Sequence, residues 1–371
     1  MMLSGRSSAT AGLLVPLALA SCLPPPTAAA DRIVLRNLDV ITDKVVAEFD
    51  EGGVRFQDGA TLAWDQIERG TVAPDQQSRF DQLLAELGSH LYRIRQRLQT
   101  GDYPGLLPHA EAVYGRYQGR RDAAAFMVFQ SLVWSRLAAG QREAALEPHL
   151  RCLECLRADA TLADTLPGSR RPRVDVTTGL TLDLVPVWFD GEAARQALTP
   201  VGNVIASMEK PHAAGTRIYF ATLALAAGEP QKAEQALSGL QGLTPLRGIV
   251  DAQSALQRGD ADKAARDLSL RLPDLDRQDR PLALYWLGLA RLTGGNAGNR
   301  QEGLLNLLEI PALFADQQPE LAAAGLYEAM REMARAGDAK GGIAVRRELL
   351  DRYGQTWHAA KTRADDEKAK N

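Results

Sequence analysis

Apolar residues recur at helical spacing through most of the chain, beginning at Phe80. The spacing i, i+3, i+4, i+7 places apolar side chains along one face of a helix. The first stripe with this spacing consists of Phe80, Leu83, Leu84, Leu87, Leu91, Ile94 and Leu98. A return helix is predicted over 109–117. Residues 123–138 are apolar on almost every face, which predicts a helix buried among others, with 143–156 packed against it.

Glycine interrupts this helical pattern six times, each time followed by a polar or second small residue. Glycine ends a helix at little cost because it accepts a left-handed backbone. The breaks are Gly101-Asp102, Gly140-Gln141, Gly228-Glu229, Gly259-Asp260, Gly294-Gly295 and Gly337-Asp338. In four cases a small residue follows five positions later, which lets paired helices approach closely: Ala145, Ala233, Ala264 and Gly342. The pattern predicts a mainly α fold, built as a helical-repeat solenoid over residues 78–355.

A strand pattern precedes the helices, over residues 31–73. Short runs rich in β-branched and aromatic residues lie at 33–35, 40–41, 45–49, 54–56 and 61–64. Gly52-Gly53 and Asp58-Gly59 separate the later runs, and Asp-Gly is a strong hairpin signal. Three to five short strands are marginal alone. We therefore expect a small β module, SH3-like or a meander, that either caps the solenoid or binds a partner itself. Residues 71–77 are predicted to be a polar linker.

Two further segments depart from the helical pattern. Residues 160–190 contain alternating apolar and polar positions at 174–177 and 180–184, on either side of Thr178-Gly179. This alternation predicts a β-hairpin inserted between helical pairs. Residues 356–371 end in a charged run and are predicted to form a largely disordered C-terminal tail.

The helical pairs resemble the tetratricopeptide repeat, whose period is 34 residues. The two best segments are 213–243 and 248–272, and Leu287-Gly288 matches in a third. Small and apolar positions of the repeat are occupied by Ala221, Ala224, Gly228, Ala233, Ala252, Ala255, Gly259 and Ala264. The breaks are unevenly spaced, 31 residues from Gly228 to Gly259 but 88 from Gly140 to Gly228. The resemblance therefore covers residues 80–355 in degenerate form.

This resemblance implies a concave groove, lined by the first helix of each pair, that receives a peptide or a protein surface. The candidate contact residues are polar and aromatic side chains of the first helices and of the inserted segment. They are Gln130, Arg136, Arg217, Tyr219, Tyr285 and Arg291, together with Trp188 and Phe189. The repeat carries almost no information on which partner binds.

Residues 1–30 have the features of an export signal. Arg6 precedes an apolar run at 11–20 that is too short to span a membrane. Ala28-Ala29-Ala30 fits cleavage before Asp31, whereas Leu19-Ala20-Ser21-Cys22 resembles a bacterial lipobox that would make Cys22 the acylated first residue. Both alternatives predict the periplasm or cell envelope, with membrane contact only through a lipid on Cys22.

The net charge and composition of the chain limit the kinds of partner that it can bind. The chain has 43 Lys and Arg against 46 Asp and Glu, a net charge of −3. Its 45% hydrophobic and 24% charged residues are typical of a globular protein. A nucleic-acid binder would need a basic surface. We therefore expect a protein or peptide partner and no nucleic acid.

One cluster, His149, Cys152 and Cys155, has the residue types of metal or redox chemistry. On a helix these positions spread over about 120° of the surface. Three ligands could hold zinc with an open position, but no fourth ligand lies nearby in the sequence. A redox Cys-x-x-Cys normally begins a helix, and this pair lies inside one. Packing cysteines are the preferred interpretation, with disulfide, redox and metal roles as alternatives.

No other motif predicts catalysis or a cofactor. The glycine-rich run at 294–298 lacks the Lys-Ser/Thr of a phosphate loop, and Arg170, Arg171 and Arg173 are interpreted as solvated loop charges. The sequence thus predicts an exported, non-enzymatic scaffold that binds protein or peptide and needs no cofactor. The alternative is a redox or metal-dependent factor that uses Cys152, Cys155 and His149.

Overall fold

The computed structural model describes residues 31–294 and 297–370. Within these residues the protein is mainly helical, with fifteen α-helices that follow a small β region of two three-stranded sheets. None of the described helices is both long and apolar enough to cross a membrane. The predicted export signal, with Cys22 and Ala28-Ala29-Ala30, lies outside the described residues, as does Gly295.

The β region contains six strands. They are β1 (Arg32–Leu35), β2 (Val40–Ile41), β3 (Val46–Asp50), β4 (Gly53–Phe56), β5 (Thr61–Leu62) and β6 (Ile67–Thr71). One sheet has the order β2-β1-β6 and the other β3-β4-β5, and all the pairings are antiparallel. A short 3₁₀ turn, Trp64–Gln66, connects β5 to β6. The sequence pattern missed β6 because Ile67 is its only large apolar residue, although that side chain is fully buried.

The helices occupy the rest of the chain. They are α1 (Pro74–Leu83), α2 (Ser89–Thr100), α3 (Leu107–Tyr117), α4 (Ala123–Ala138), α5 (Arg142–Ala158), α6 (Gly191–Ser207), α7 (Ala214–Ala226), α8 (Pro230–Leu237), α9 (Thr244–Gln257), α10 (Ala261–Arg271), α11 (Arg280–Gly294), α12 (Ala297–Leu313), α13 (Pro319–Arg335), α14 (Ala339–Arg352) and α15 (Trp357–Lys370). A π-helical turn, Leu84–Gly88, joins α1 to α2.

The predicted glycine breaks are confirmed at five of the six positions. Gly101, Gly140, Gly228, Gly259 and Gly337 all have left-handed backbones, with φ between 71° and 86°. Each lies just after the last residue of a helix or one residue beyond it. Gly294 differs, because it is the last residue of α11 itself. At the other five positions glycine accepts the left-handed conformation without the strain that a Cβ would add.

Three predicted segments differ from the structure. Helix α1 begins at Pro74, inside the predicted linker, because proline fits the first turn of a helix, where its missing N–H is not needed. The predicted hairpin in the insert reduces to a single bridge between Val174 and Thr181. The predicted disordered tail instead forms α15, whose first turn packs into the core through His358 and Ala359.

The helices pack in two interleaved series. Most consecutive helices from α2 onward contact each other, and α5, α7, α9, α11, α13 and α15 also contact one another in that order. The alternate helices α6, α8, α10, α12 and α14 lack extensive contacts of this kind among themselves within the described chain. We call α5, α7, α9, α11, α13 and α15 the inner helices.

The β region shares its core with the first helices. Phe49 of β3, Trp64 and Phe80 of α1 pack edge to face, with ring centroids 5.2 to 6.2 Å apart. Tyr117 of α3 donates its hydroxyl to Glu51 O at 2.8 Å, and Trp64 Nε1 donates to Asp50 O at 2.7 Å. The turn between β3 and β4 is therefore fixed to the helices.

Close packing at Ala233 and Ala264 makes a stability prediction. Both side chains are almost fully buried, where α8 and α10 pack on their neighbours. Ala233→Leu or Ala264→Leu should overpack these contacts and lower the free energy of unfolding by about 1–3 kcal/mol, measured by urea denaturation. The control, Ala339→Leu at an exposed position, should change it by less than about 0.5 kcal/mol. Equal effects in all three variants would contradict the predicted helix packing.

Candidate functional site

Most of the predicted groove residues are not exposed. Gln130, Tyr219, Tyr285 and Trp188 are buried, and Phe189 is half-buried. The expectation that these side chains face an open groove is therefore wrong. Tyr219 of α7 and Tyr285 of α11 do lie on inner helices, as predicted, but other parts of the same chain cover them.

The three predicted arginines are engaged in bonds between helices. Arg136 donates to Ala144 O at 2.6 Å, from α4 to α5. Arg217 donates to Ala236 O at 2.7 Å and also to Ser238 O, from α7 to the end of α8. Arg291 donates to Asn306 Oδ1 at 2.7 Å, from α11 to α12. Each arginine fixes a helix to the next one in the chain.

An irregular segment of the insert, residues 178–190, covers the inner helices, and we call it the strap. Side chains of the first turn of α5 bind the backbone of the second half of the strap. Arg142 donates from Nη2 to Val185 O at 2.9 Å and from Nε to Val187 O at 3.4 Å. Glu143 Oε1 accepts from the backbone N–H of Phe189 at 3.0 Å and of Asp190 at 3.2 Å. Two side chains at one helix start thus bind four backbone groups of the strap.

The first half of the strap is held in the same manner from α5 and α7. His149 Nε2 donates to Gly179 O at 3.2 Å. The Tyr219 hydroxyl donates to Leu184 O at 2.6 Å and accepts from the N–H of Thr181 at 3.2 Å. Gly179 has φ of +77°, and a Cβ there would lie 2.9 Å from the side chains of Leu153 and Ala213. Only glycine fits this turn.

Apolar side chains of the strap complete the core beneath it. Leu184 and Val187 are fully buried, and Trp188 is nearly so while its Nε1 donates to Thr222 Oγ1 at 3.0 Å. Phe189 packs edge to face on Tyr285 with ring centroids 6.0 Å apart. Side-chain bonds to an extended backbone, with apolar side chains in pockets, are also the contacts by which a groove binds a peptide. In this protein a segment of the chain itself, the strap, makes such contacts on the inner face, which is the surface of the inner helices α5, α7 and α11 that it covers.

The cysteine cluster is buried and unlinked. Cys152 and Cys155 are free and have no exposed surface. Burial raises the pKa of the Cys155 thiol to about 12 and that of Cys152 well above its usual range, which disfavours the thiolate needed for redox chemistry or metal binding. His149 is committed to Gly179 O, and no group of three potential ligands that could hold a metal occurs within the described chain.

This burial predicts that the thiols are unreactive. Cys152 and Cys155 should resist a maleimide at pH 7.5 in the folded protein and react fully in urea, with peptide mapping to assign the label. The double variant Cys152→Ser with Cys155→Ser should retain partner binding at a modest loss of stability, because a buried cysteine acts as a small apolar side chain. Rapid labelling of the folded protein, or stoichiometric zinc lost in the double variant, would favour the redox or metal alternative.

An open cavity of about 430 Å³ lies between the strands and the start of α4. Its floor is apolar and is formed by Phe49, Val54, Leu62 and Met127, all of which are buried in the core. Thr61 of β5 and Ala123 of α4 lie exposed at its edge. Strands and helix therefore form the cavity jointly.

Ion pairs surround this apolar floor. Arg120 donates from Nε to Asp122 Oδ2 at 2.6 Å and from Nη1 to Asp50 Oδ2 at 3.1 Å. Arg95 pairs with the buried carboxylate of Asp65. Burial raises the pKa of Asp50, but the hydrogen bond and charge of Arg120 and the backbone N–H groups of Gly52 and Gly53 together outweigh it, so the pKa lies below the usual range. A carboxylate with a lowered pKa and an arginine partner, such as Asp50, is a fixed charge at neutral pH rather than a group that transfers protons.

Two other cavities have a different character. One of about 430 Å³ lies among α8, α9 and α10, and one of about 470 Å³ among α11, α12 and α13. Charged side chains make up more than half of the residues that line each of them. The cavity beside the strands combines an apolar floor with fixed charges, which is the usual composition of a binding site.

The chain matches no protein-family model, no curated protein and no solved structure.

Proposed function

We propose that the protein is a non-enzymatic scaffold of the bacterial cell envelope that binds a protein or peptide. The partner contacts the cavity between the strands and α4. The observation that carries this proposal is one cavity lined both by buried apolar side chains and by two ion pairs. The apolar side chains are Phe49, Val54, Leu62 and Met127, and the pairs are Arg120 with Asp50 and Arg95 with Asp65. An apolar side chain of the partner gains affinity by leaving water at this floor. The ion pairs then select the charges that flank that side chain.

The helical part is proposed to be a tetratricopeptide-like solenoid. Three observations support this: the left-handed glycines between helices, the buried small residues that follow them, and the ordered contacts among the inner helices. Solenoids usually serve as binding surfaces. In this chain the strap occupies the inner face, so the proposed partner site moves to the β region.

The β region is proposed to be an SH3-like module. The first and last strands pair with each other, three middle strands form a meander, and a 3₁₀ turn precedes the last strand. Its core is continuous with α1 to α4. We therefore propose that the module binds its partner together with α4 rather than alone.

Export is part of the proposal and has its own test. The sequence features of residues 1–30 support cleavage before Asp31 or acylation at Cys22, and only one of these can occur. Intact-mass analysis of the mature protein distinguishes them. A free Asp31 N-terminus removes the lipoprotein alternative, and an unprocessed Met1 in the cytosol removes export altogether.

Blocking the cavity should abolish partner binding without unfolding the protein. Thr61→Arg places a long charged side chain at the cavity edge, from a position that is exposed. The matched control is Thr71→Arg, also exposed but on β6 and not part of the cavity lining. We expect recovery of a cross-linked partner from envelope extract to fall at least tenfold in Thr61→Arg and to be unchanged in Thr71→Arg, with similar melting temperatures. Equal recovery in both variants would refute the site.

A further inference from the structure

The last helix, α15, closes the series of inner helices. It contacts α13 and α14 along its length. Its start also reaches the corner between α4 and α5, where a Cβ on Gly140 would lie 3.4 Å from Trp357 N and 3.5 Å from Gln355 O. The end of the chain thus packs against a corner more than 200 residues earlier in the sequence.

The start of α15 covers aromatic side chains of the inner face. The His358 ring lies 4.4 Å from that of Phe189 and 5.3 Å from that of Tyr327, measured between centroids. Trp357 stacks at 6.3 Å from Phe189, and Phe189 in turn packs on Tyr285. Removal of α15 would therefore expose a cluster of aromatic rings from the strap, α11 and α13.

Little apolar surface holds α15 in this position. Among residues 357–368 its buried side chains are His358, Ala359 and Thr362, which are polar or small, and its one large apolar side chain, Trp357, is half-buried. Most of its remaining contacts are polar and near the surface, such as the ion pair between Arg346 and Asp366. Helix α13, by contrast, buries Leu321, Leu326 and several alanines. Segments with few buried apolar contacts open at the lowest free-energy cost.

His358 introduces a charge-sensitive group into this weak contact. Its side chain is 2% exposed, and its Nδ1 atom has no hydrogen-bond partner in the structure. The charged groups that act on it are Lys361 of α15 and Arg142 of α5, both cations, and Tyr327 of α13 packs on its ring. Burial, Lys361 and Arg142 together lower the pKa of His358 to about 3.

No carboxylate is among the described groups that shift the pKa of His358, so none compensates a third cation there. Near Arg142 lie Glu143, which accepts from the strap backbone, and Glu320. Glu320 of α13 acts electrostatically on Arg142, but burial raises the pKa of Glu320 and its Oε2 atom has no partner. Protonation of His358 in place would therefore add a buried charge beside two existing ones. That cost is avoided when α15 leaves the inner face and the imidazole returns to water.

We propose that α15 is an acid-released latch, in which protonation of His358 detaches the helix and uncovers Phe189, Tyr285 and Tyr327. The direction of the pH dependence follows from the pKa of His358 in the released and in the closed state of α15. In the released helix the imidazole has its ordinary pKa near 6.5, whereas in the closed latch the pKa is depressed. Closure is therefore fully favoured above about pH 6.5 and weakens about tenfold for each pH unit below it, until the closed-state pKa is reached. This inference concerns a different site from the proposed partner cavity.

Hydrogen exchange of the full chain, followed by mass spectrometry, tests the latch. After correction for intrinsic exchange rates, the protection of α15 should fall about tenfold between pH 7.5 and 5.5. His358→Gln, which cannot gain a charge, should make the protection of α15 nearly independent of pH. His109→Gln, a half-buried histidine between α2 and α3, is the matched control and should retain the wild-type response.

A second variant keeps the test decisive if His358→Gln fails to fold. Lys361 is exposed, so Lys361→Gln should leave the fold intact and remove one of the two cations beside His358. Because the closed-state pKa of His358 should then rise, the fall in α15 protection should level off at a higher pH than in the wild type. Protection of α15 that does not fall between pH 7.5 and 5.5 would overturn the latch. An acid response of His358→Gln equal to that of the wild type would overturn the role of His358.

Discussion

Arg142→Met should lower the free energy of unfolding by about 2–3 kcal/mol, because two buried carbonyls of the strap lose their only side-chain donor. Methionine keeps the length of the side chain and removes only the donors and the charge. Urea denaturation measures the loss. Arg195→Met is the matched control, since Arg195 is exposed and pairs only with Glu192 one turn away. It should change the stability by less than about 0.5 kcal/mol.

The opposite result has a physical basis and would be informative. Arg142 is 2% exposed and has no carboxylate within 4 Å among the described residues. Replacing buried charges by apolar side chains stabilises some proteins, because the desolvation cost disappears. In those cases both partners of a pair were replaced. Here Val187 O would lose its side-chain donor while buried, and Val185 O would keep only the backbone N–H of Val187 at 2.7 Å. A neutral or stabilising Arg142→Met would mean that the apolar side chains of the strap hold it alone.

A double-mutant cycle separates these two explanations. Tyr219→Phe removes the hydroxyl that bonds Leu184 O and Thr181 N at the other half of the strap. If both side chains restrain the same segment, the first substitution should free the strap partly and reduce the effect of the second. We expect the double variant to lose less stability than the sum of the single losses, by at least about 0.5 kcal/mol. Strict additivity would mean that the two halves of the strap are independent.

Local features of the fold were predictable from the sequence. Periodic apolar residues predict the helices of 80–156. Glycines predict helix ends, and the left-handed glycines of the structure lie at such ends. These features depend on residues a few positions apart, which one sequence displays directly. Strand β6 was missed because its pairing with β1, more than 30 residues earlier, compensates for its polar composition.

The strap could not be predicted because its bonds are not local. Arg142 and Glu143 bind backbone groups 43 to 47 residues away, and Tyr219 binds groups 35 to 38 residues away. A backbone held by side chains leaves no strand or helix periodicity. For the same reason, the sequence predicts exposed aromatic residues on the inner helices, because the pattern contains no sign that residues 178–190 cover them.

The composition of the last segment was also misleading. The charged run of 364–371 predicted disorder, yet α15 is anchored by its first turn through Trp357, His358 and Ala359. A short anchor is enough when the rest of the helix remains on the surface and forms side-chain pairs there. The proposed cavity was missed for a related reason, because it exists only where strands and helix α4 meet.

Acidification should destabilise the whole protein through His149. Burial lowers the pKa of this imidazole to about 4, against about 6.5 in the unfolded chain. Between these values the unfolded state binds the additional proton, so stability is complete above pH 6.5 and declines as the pH falls towards 4. The shift corresponds to roughly 3 kcal/mol in total, of which about 2 kcal/mol should be lost between pH 7 and pH 5.

His149→Gln should flatten this pH dependence while costing some stability at pH 7. Glutamine is neutral at every pH and can offer an N–H to Gly179 O, the bond that His149 makes at 3.2 Å. Urea denaturation at pH 7, 6 and 5 gives the slope of stability against pH for the wild type, His149→Gln and His358→Gln. Each variant should reduce the wild-type slope by the contribution of about one proton, but only His358→Gln should change the acid response of α15 in hydrogen exchange. A slope unchanged in His149→Gln would mean that His149 is already protonated in the folded protein, where Gly179 O and the Asp183 carboxylate both favour the charged imidazole. The bond from α5 to the strap would then be an ionic hydrogen bond rather than one from a neutral, buried histidine.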